Sequence, residues 1–308
     1  MKLSVVTTLY NSEKYVWEFY ERSSNAAKNL VGEDFEIIFV NDGSPDSSLD
    51  KAISLTQEHD NIRIIDLSRN FGHHKAMMTG LEHSSGDHVF LIDSDLEEKP
   101  EWLSTFYEQL TKDNSDTVYG IQEHRKGGVF EKVTGAFFYK IFRLLTGVAQ
   151  PNNIVTARLM TRRYVDALKC HKEREICIGG LWIITGFTQS TQIVQKSSSS
   201  ETTYNFAGKL SHLVNAITSF SSLPLVYTFY TGLLLCLSAF LFIIKLLIQF
   251  FFLAKPPDGY TSMIASIWFF SGLVILFLGI QGIYLSKIFS EVKGRPYTII
   301  KEIYSSKK

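Results

Sequence analysis

The sequence predicts an α/β domain around a mostly parallel sheet, followed by two membrane-crossing helices. Three observations predict this. Short runs rich in Val, Ile and Phe alternate with helix-length amphipathic stretches from residue 1 to about 120. The first four of these runs each end on a polar, turn-forming loop, which is where an α/β sheet binds its ligands. Nearly all the long apolar runs lie after residue 222.

The strand runs are Lys2 to Leu9, Phe35 to Val40, Asn61 to Leu67, His88 to Asp93 and Thr117 to Tyr119. Between the first two, Val16, Phe19, Tyr20, Ala27 and Leu30 fall near a 3.6-residue period and predict a helix over Glu13 to Leu30. The loops after the first three strands read Tyr10-Asn11-Ser12-Glu13, Asn41 to Asp46, and Ser68 to Lys75. Such residues are ordinary turn formers, so one loop alone would mean little; four at one sheet edge point to a site. After the fourth strand come Asp93, Asp95 and Glu97, spaced by two. In extended chain that spacing aims three carboxylates at one point. Their repulsion favours a hard divalent cation shared with substrate phosphates, the alternative being a solvated acidic turn before a helix that starts near Pro100.

Further on, Phe206, Leu210, Leu213, Val214, Ile217 and Phe220 form one face of an amphipathic helix over 206–222, suited to a lipid interface. A run of apolar residues over about 224–250 is broken only by Lys245 and Gln249, and a second spans 263–285. Each is long enough to cross roughly 30 Å of hydrocarbon. The link Lys255 to Gly259 has no net charge, whereas the tail 286–308 has Lys287, Lys293, Arg295, Lys301, Lys307 and Lys308 against Glu291 and Glu302. Positive charge stays inside, so both termini and the domain 1–205 are expected to be cytoplasmic, on the inner (plasma) membrane. Lys245 is expected to snorkel to the outer interface.

Composition limits the function classes. The chain has 308 residues and a formal net charge of zero, with pI near 7.1, which gives no general case for nucleic acid. Cys170, Cys177 and Cys236 form no C-x-x-C pair and argue against a disulfide framework or a zinc site. The apolar stretch Leu3 to Leu9 is too short for a signal peptide. His73 and His74 are adjacent and seldom would face one ion; a helix start near the acceptor, or plain surface, is preferred.

Taken together, SVVTTLYNSE, FVNDGSPDSS, LSRNFGHHKA, GDHVFLIDSDLEEKPEW, RLMTRRYVDAL, ITSFSSLPL and EVKGRPY resemble the inverting glycosyltransferases of family 2. Within it they are similar to the polyprenyl-phosphate type, which includes dolichol-phosphate mannose synthase and bactoprenol glucosyltransferases. The resemblance implies a GT-A (Rossmann-like, nucleotide-sugar-binding) domain with Asp93 and Asp95 as its DxD metal site for Mg²⁺ or Mn²⁺, and Glu97 as a further oxygen ligand. It places Tyr10, Asn11, Glu13, Asp42, Ser44, Asn70, Gly72, Lys75, Asp93 and Ser94 around the donor, with Asp42 near the base. The chain departs from the family's pattern at several points: Thr8 for Pro, Asn41 for Asp, Gln122 for the first of two arginines, Thr156 for Asp, and Ser197 to Ser200 in place of a loop with Arg and Gly, leaving Lys196 the nearest cation.

Breaking a sugar–diphosphate bond places charge on the leaving group, which a metal stabilises as Lewis acid. Arg125 and Arg158 are candidates for the remaining phosphate contacts, since guanidinium matches phosphate oxygens bidentately. A lipid phosphate acceptor is already ionised and needs no strong base, so an enzyme with Thr156 remains workable. The expected activity is transfer of one sugar from a nucleotide-sugar donor to polyprenyl phosphate for cell-envelope glycan synthesis. The alternatives are transfer to a sugar hydroxyl of a lipid-linked saccharide, and a non-catalytic sugar-nucleotide-binding scaffold. The expected partners are the donor, the lipid acceptor, the membrane and, in prospect, further copies of the chain as a homo-oligomer.

Overall fold

The computed structural model describes residues 1–122, 153–174, 176–197, 214, 217–218, 221–253 and 259–306. The described residues form two units: those up to Asn205 together with those from Arg295 onward, and those from Phe206 to Gly294.

In the first unit the predicted alternation is present. β1 (Leu3–Leu9), β2 (Phe35–Asn41), β3 (Ile62–Leu67) and β4 (His88–Leu91) are joined by α1 (Val16–Val31), α2 (Ser48–Glu58) and α3 (His73–His83). β1 pairs in parallel with both β2 and β4, and β2 with β3. β1 and β2 are buried along their whole length, as parallel strands covered on both faces must be, and their near-continuous apolar sequence follows from that. Leu3, Val5, Phe39 and Phe90 face a core shared with Phe19 of α1 and Phe106 of α4 (Trp102–Asp113). The alternate side chains Val6 and Val40 meet α3 at Gly80, where an added Cβ would come within 2.4 Å of Val6 Cγ1. The helix can approach that closely only because it carries no side chain there.

Beyond β4 the sheet is mixed. β5 (Thr117–Gln122), β6 (Ile154–Thr161) and β7 (Gln189–Val194), with α5 (Arg162–Leu168) and α6 (Ile178–Ile184), complete this side. β6 inserts antiparallel between β4 and β5, and β7 pairs in parallel with β5. On the far side β8 (Ile300–Ser305) adds antiparallel to β3, giving the order β7-β5-β6-β4-β1-β2-β3-β8. The segment read from sequence as a basic tail is therefore in part a sheet strand. Lys301 Nζ lies 3.3 Å from buried Asp66, and Ser68 N–H donates to Ile299 O at 2.9 Å.

The second unit contains α7 (Leu223–Leu253) and α8 (Tyr260–Val292). Among the described residues one stretch, Phe269–Val292, is long and apolar enough to cross a membrane, and Leu223–Leu235 is a shorter apolar helical stretch. The Tyr284 hydroxyl donates to Ser221 O at 2.6 Å. Most of the expected amphipathic helix 206–222, and the link 254–258, lie outside the described residues.

Candidate functional site

The chain order reverses at β1, which has β2 on one side and β4 on the other, so a crevice forms beyond the carboxyl ends of these strands. Three loops are tied together there. Asp42, just past β2, accepts the N–H groups of Phe71 and Gly72 at 2.7 and 3.0 Å. Burial raises the Asp42 carboxyl above its ordinary value against the pull of these two donors. Gly43 has φ +61°, and a Cβ there would come within 2.5 Å of Asn70 N. Only glycine permits both that backbone and that approach.

Asp46 fastens the β1 and β2 loops. Its carboxylate accepts the hydroxyls of Ser44 and Ser48 at 2.5 Å and the N–H groups of Glu13 and Ser48 at 3.0 and 3.1 Å. Asn11, in the left-handed region at φ 53°, donates its N–H to Ser44 Oγ at 2.8 Å, and Ser47 N–H reaches Glu13 Oε2 at 3.3 Å. Burial works against ionised Asp46, but these donors outweigh it and lower the carboxyl to about 2. The stability this contributes is present above the ordinary value of 3.8 and is lost as pH falls through about 2. Asp46→Ala is expected to cost about 1 to 3 kcal/mol at pH 7, and less at pH 2, as thermal melts at the two pH values would show.

Thr8, Tyr10, Asp42, Asn70 and His73 line a cleft of about 90 Å³. Lys75 stands in the first turn of α3, and Gly72 closes the loop before it. Ser94 is buried, donating to Thr8 O at 2.8 Å and to Ser12 Oγ at 3.1 Å. Most of the residues expected around the donor are therefore brought to one sheet edge.

The acidic loop differs from expectation. The chain leaves β4 at Leu91 and turns at Ser94 and Asp95, and Leu96 adopts φ 60°, so the extended geometry that would aim Asp93, Asp95 and Glu97 at one point is broken. No group of three or more His, Cys, Asp or Glu side chains among the described residues is arranged to hold a metal ion. Instead the acids are spread over a histidine and a lysine. Asp93 Oδ1 lies 3.2 Å from His73 Nε2. Glu97 Oε2 lies 3.8 Å and Glu98 Oε1 2.8 Å from Lys196 Nζ. Asp95 accepts the Glu97 N–H at 3.0 Å, and burial, with the charges of Asp93 and Glu97, raises its carboxyl above the ordinary value.

Glu98 was not singled out in sequence, having no signal beyond its place in an acidic run. It is fully buried and accepts the N–H groups of Thr156 and Ala157 at 3.0 and 2.7 Å. Burial and the neighbouring Asp93 push its carboxyl up to about 7 despite Lys196 and both backbone donors.

Of the two candidate arginines, Arg125 lies outside the described residues. Arg158 is not a solvated surface arginine: it is 1% exposed. It stacks on Trp182 and Tyr119 and lines a separate small pocket with Gly179 and Gln189. Its Nη1, like Trp182 Nε1, has no hydrogen-bond partner among the described residues. Burial lowers its guanidinium to about 9. Trp182 is thus the lid of this cation.

The model of Glycosyl transferase family 2 matches residues 4–169. A Mycobacterium tuberculosis (strain CDC 1551 / Oshkosh) chain, named at no finer level than glycosyltransferase, is 48% identical over 99% of this chain and 89% of its own length. The SfII prophage-derived bactoprenol glucosyl transferase of Shigella flexneri is 31% identical, covering 98% of both chains. The crystal structure of M. tuberculosis glucosyl-3-phosphoglycerate synthase with uridine diphosphate overlaps 70% of this chain and 79% of its own, at 20% identity and a TM-score of 0.48. The chain belongs to glycosyl transferase family 2, its α/β glycosyltransferase domain built on a mixed sheet.

Proposed function

We propose that the protein transfers a single sugar, with inversion, from a nucleotide-sugar donor to polyprenyl phosphate at the cytoplasmic face of the membrane. One observation carries this reading: a bactoprenol glucosyl transferase aligns with 98% of the chain, apolar helices included. The donor binds in the cleft of Thr8, Tyr10, Asp42, Asn70 and His73. The long helices α7 and α8 form the membrane hairpin, which keeps the site where a polyprenyl acceptor presents its headgroup.

Reaction is a single displacement. An ionised oxygen of the acceptor phosphate attacks the anomeric carbon, a new carbon–oxygen bond forms, the bond to the diphosphate breaks, and nucleoside diphosphate leaves. The attacking oxygen carries no proton, so no strong base is needed where Thr156 stands. Asp93 and Asp95 suit a divalent cation. Asp93 Oδ1 is buried and has the His73 ring at 3.2 Å, Asp95 is repelled by both acidic neighbours, and Mg²⁺ is commonly held by one or two carboxylates plus substrate phosphates. When bound, such an ion neutralises charge on the departing diphosphate. Purified full-length chain, given Mn²⁺, polyprenyl phosphate and a panel of nucleotide sugars, is expected to yield one acid-labile polyprenyl monophosphoryl sugar by mass spectrometry. Product carrying the new sugar only on an existing lipid-linked saccharide would overturn the reading.

A further inference from the structure

Three elements meet at one imidazole. Thr8 is the penultimate residue of β1, His73 the first of α3, and Asp93 lies just past β4. His73 Nδ1 is 3.0 Å from Thr8 Oγ1, and its Nε2 is 3.2 Å from Asp93 Oδ1. Both ring nitrogens are therefore engaged, one with β1 and one with the chain just past β4. The carboxylate can only accept, so the ring presents an Nε2 proton to it, and the Thr8 hydroxyl at Nδ1 fixes the plane in which the ring does so.

Asp93 needs such a hold. Its carboxyl turns about a broad sp³–sp² torsion, and His73 and Thr156 are side chains that hydrogen-bond it. His73 is anchored at a helix start whose preceding loop is pinned by Asp42. It also lines the cleft with Thr8 and Asp42, so the same ring joins the donor cleft to the acidic loop.

We propose that His73 is a positioning residue which, oriented by Thr8, sets Asp93 for the metal-dependent part of nucleotide binding. This rests on the donor-site reading above, and the test separates the two. Uridine and guanosine diphosphates are titrated by calorimetry into the full-length chain, with Mn²⁺ and again with chelator, and melting temperature is recorded for every variant. His73→Asn keeps a group near Nδ1 but loses Nε2, and is expected to weaken Mn²⁺-dependent binding by about 10- to 100-fold, the range for partners that orient metal-binding side chains. His73→Gln keeps a donor near Nε2 and should retain most of that affinity. Thr8→Val is expected to weaken it about 3- to 10-fold, and to add nothing in the His73→Asn background, because the hydroxyl acts only through the ring. Thr8 and His73 also line the cleft, so binding with chelator falls as well, and these losses are read on the ratio of affinity with Mn²⁺ to affinity with chelator. Unchanged Mn²⁺-dependent affinity in His73→Asn, additive losses in the double variant, or equal losses with and without metal overturn the inference while leaving the donor site standing. Failure of the wild-type chain to bind either nucleotide overturns the donor-site reading and this inference with it.

Discussion

Asp95→Asn is expected to abolish turnover while leaving the fold as stable as before, or more so. The carboxylate of Asp95 is raised by burial and by its neighbours Asp93 and Glu97, so removing its charge relieves repulsion. The asparagine oxygen can still accept the Glu97 N–H that Asp95 accepts at 3.0 Å. Core packing does not involve this side chain. Activity should respond in the opposite direction. A neutral amide is a poor ligand for a hard cation, and losing several kcal/mol of leaving-group stabilisation corresponds to about a thousandfold or more in rate. Turnover by the purified variant, read beside a thermal melt and a chelator-treated wild type, checks both halves. Full activity in either sample would remove the metal from the mechanism. A lowered melting temperature would instead make Asp95 a structural acid.

The contrast between that loop and the rest of the domain shows what a sequence can reveal. β1 to β4 were legible because strands buried on both faces must be apolar throughout, and the helices between them keep one apolar face. Val16, Phe19, Tyr20 and Ala27 are buried as their spacing predicts. The loops at the strand ends were legible for the same reason, since topology alone brings them to one edge. Strand order was not: nothing in the periodicity of β6 says that it runs antiparallel between β4 and β5. Nor does the mixed sequence Ile300–Ser305 announce an edge strand, because its partner is β3, more than two hundred residues away. The acidic loop misled for a local reason. A spacing of two converges only in extended chain, and the turn at Ser94 and Asp95 followed by left-handed Leu96 is not extended. The burial of Arg158, and Glu98 altogether, were hidden because burial of a charge depends on what covers it, here Trp182 in one case and the backbone of Thr156 and Ala157 in the other.

Glu98→Ala is expected to give the largest loss of stability. The side chain is wholly buried and satisfies three donors: the N–H groups of Thr156 and Ala157 and the ammonium of Lys196. Truncation leaves two buried backbone donors and one partly buried cation without their acceptor. Breaking a buried pair in this way costs about 3 to 5 kcal/mol, a large part of the roughly 5 to 15 kcal/mol by which domains are stable. For a domain of this size the melting temperature should fall by roughly 6 to 20 °C. Glu98→Gln separates charge from shape. The folded carboxyl titrates near 7 and its ordinary value is 4.5, so between these values the folded chain binds more protons than the unfolded one. Stability therefore falls as pH rises through that window, by on the order of 1 kcal/mol per pH unit. The glutamine variant cannot titrate there and should show a flatter profile between pH 5 and 7, at a lower overall stability because its amide group meets a backbone N–H where an oxygen stood. Melting curves of the wild type and both variants across that range are the measurement. A wild-type profile that rises with pH, or parallel profiles for wild type and glutamine variant, would show that Glu98 is held ionised by Lys196 throughout.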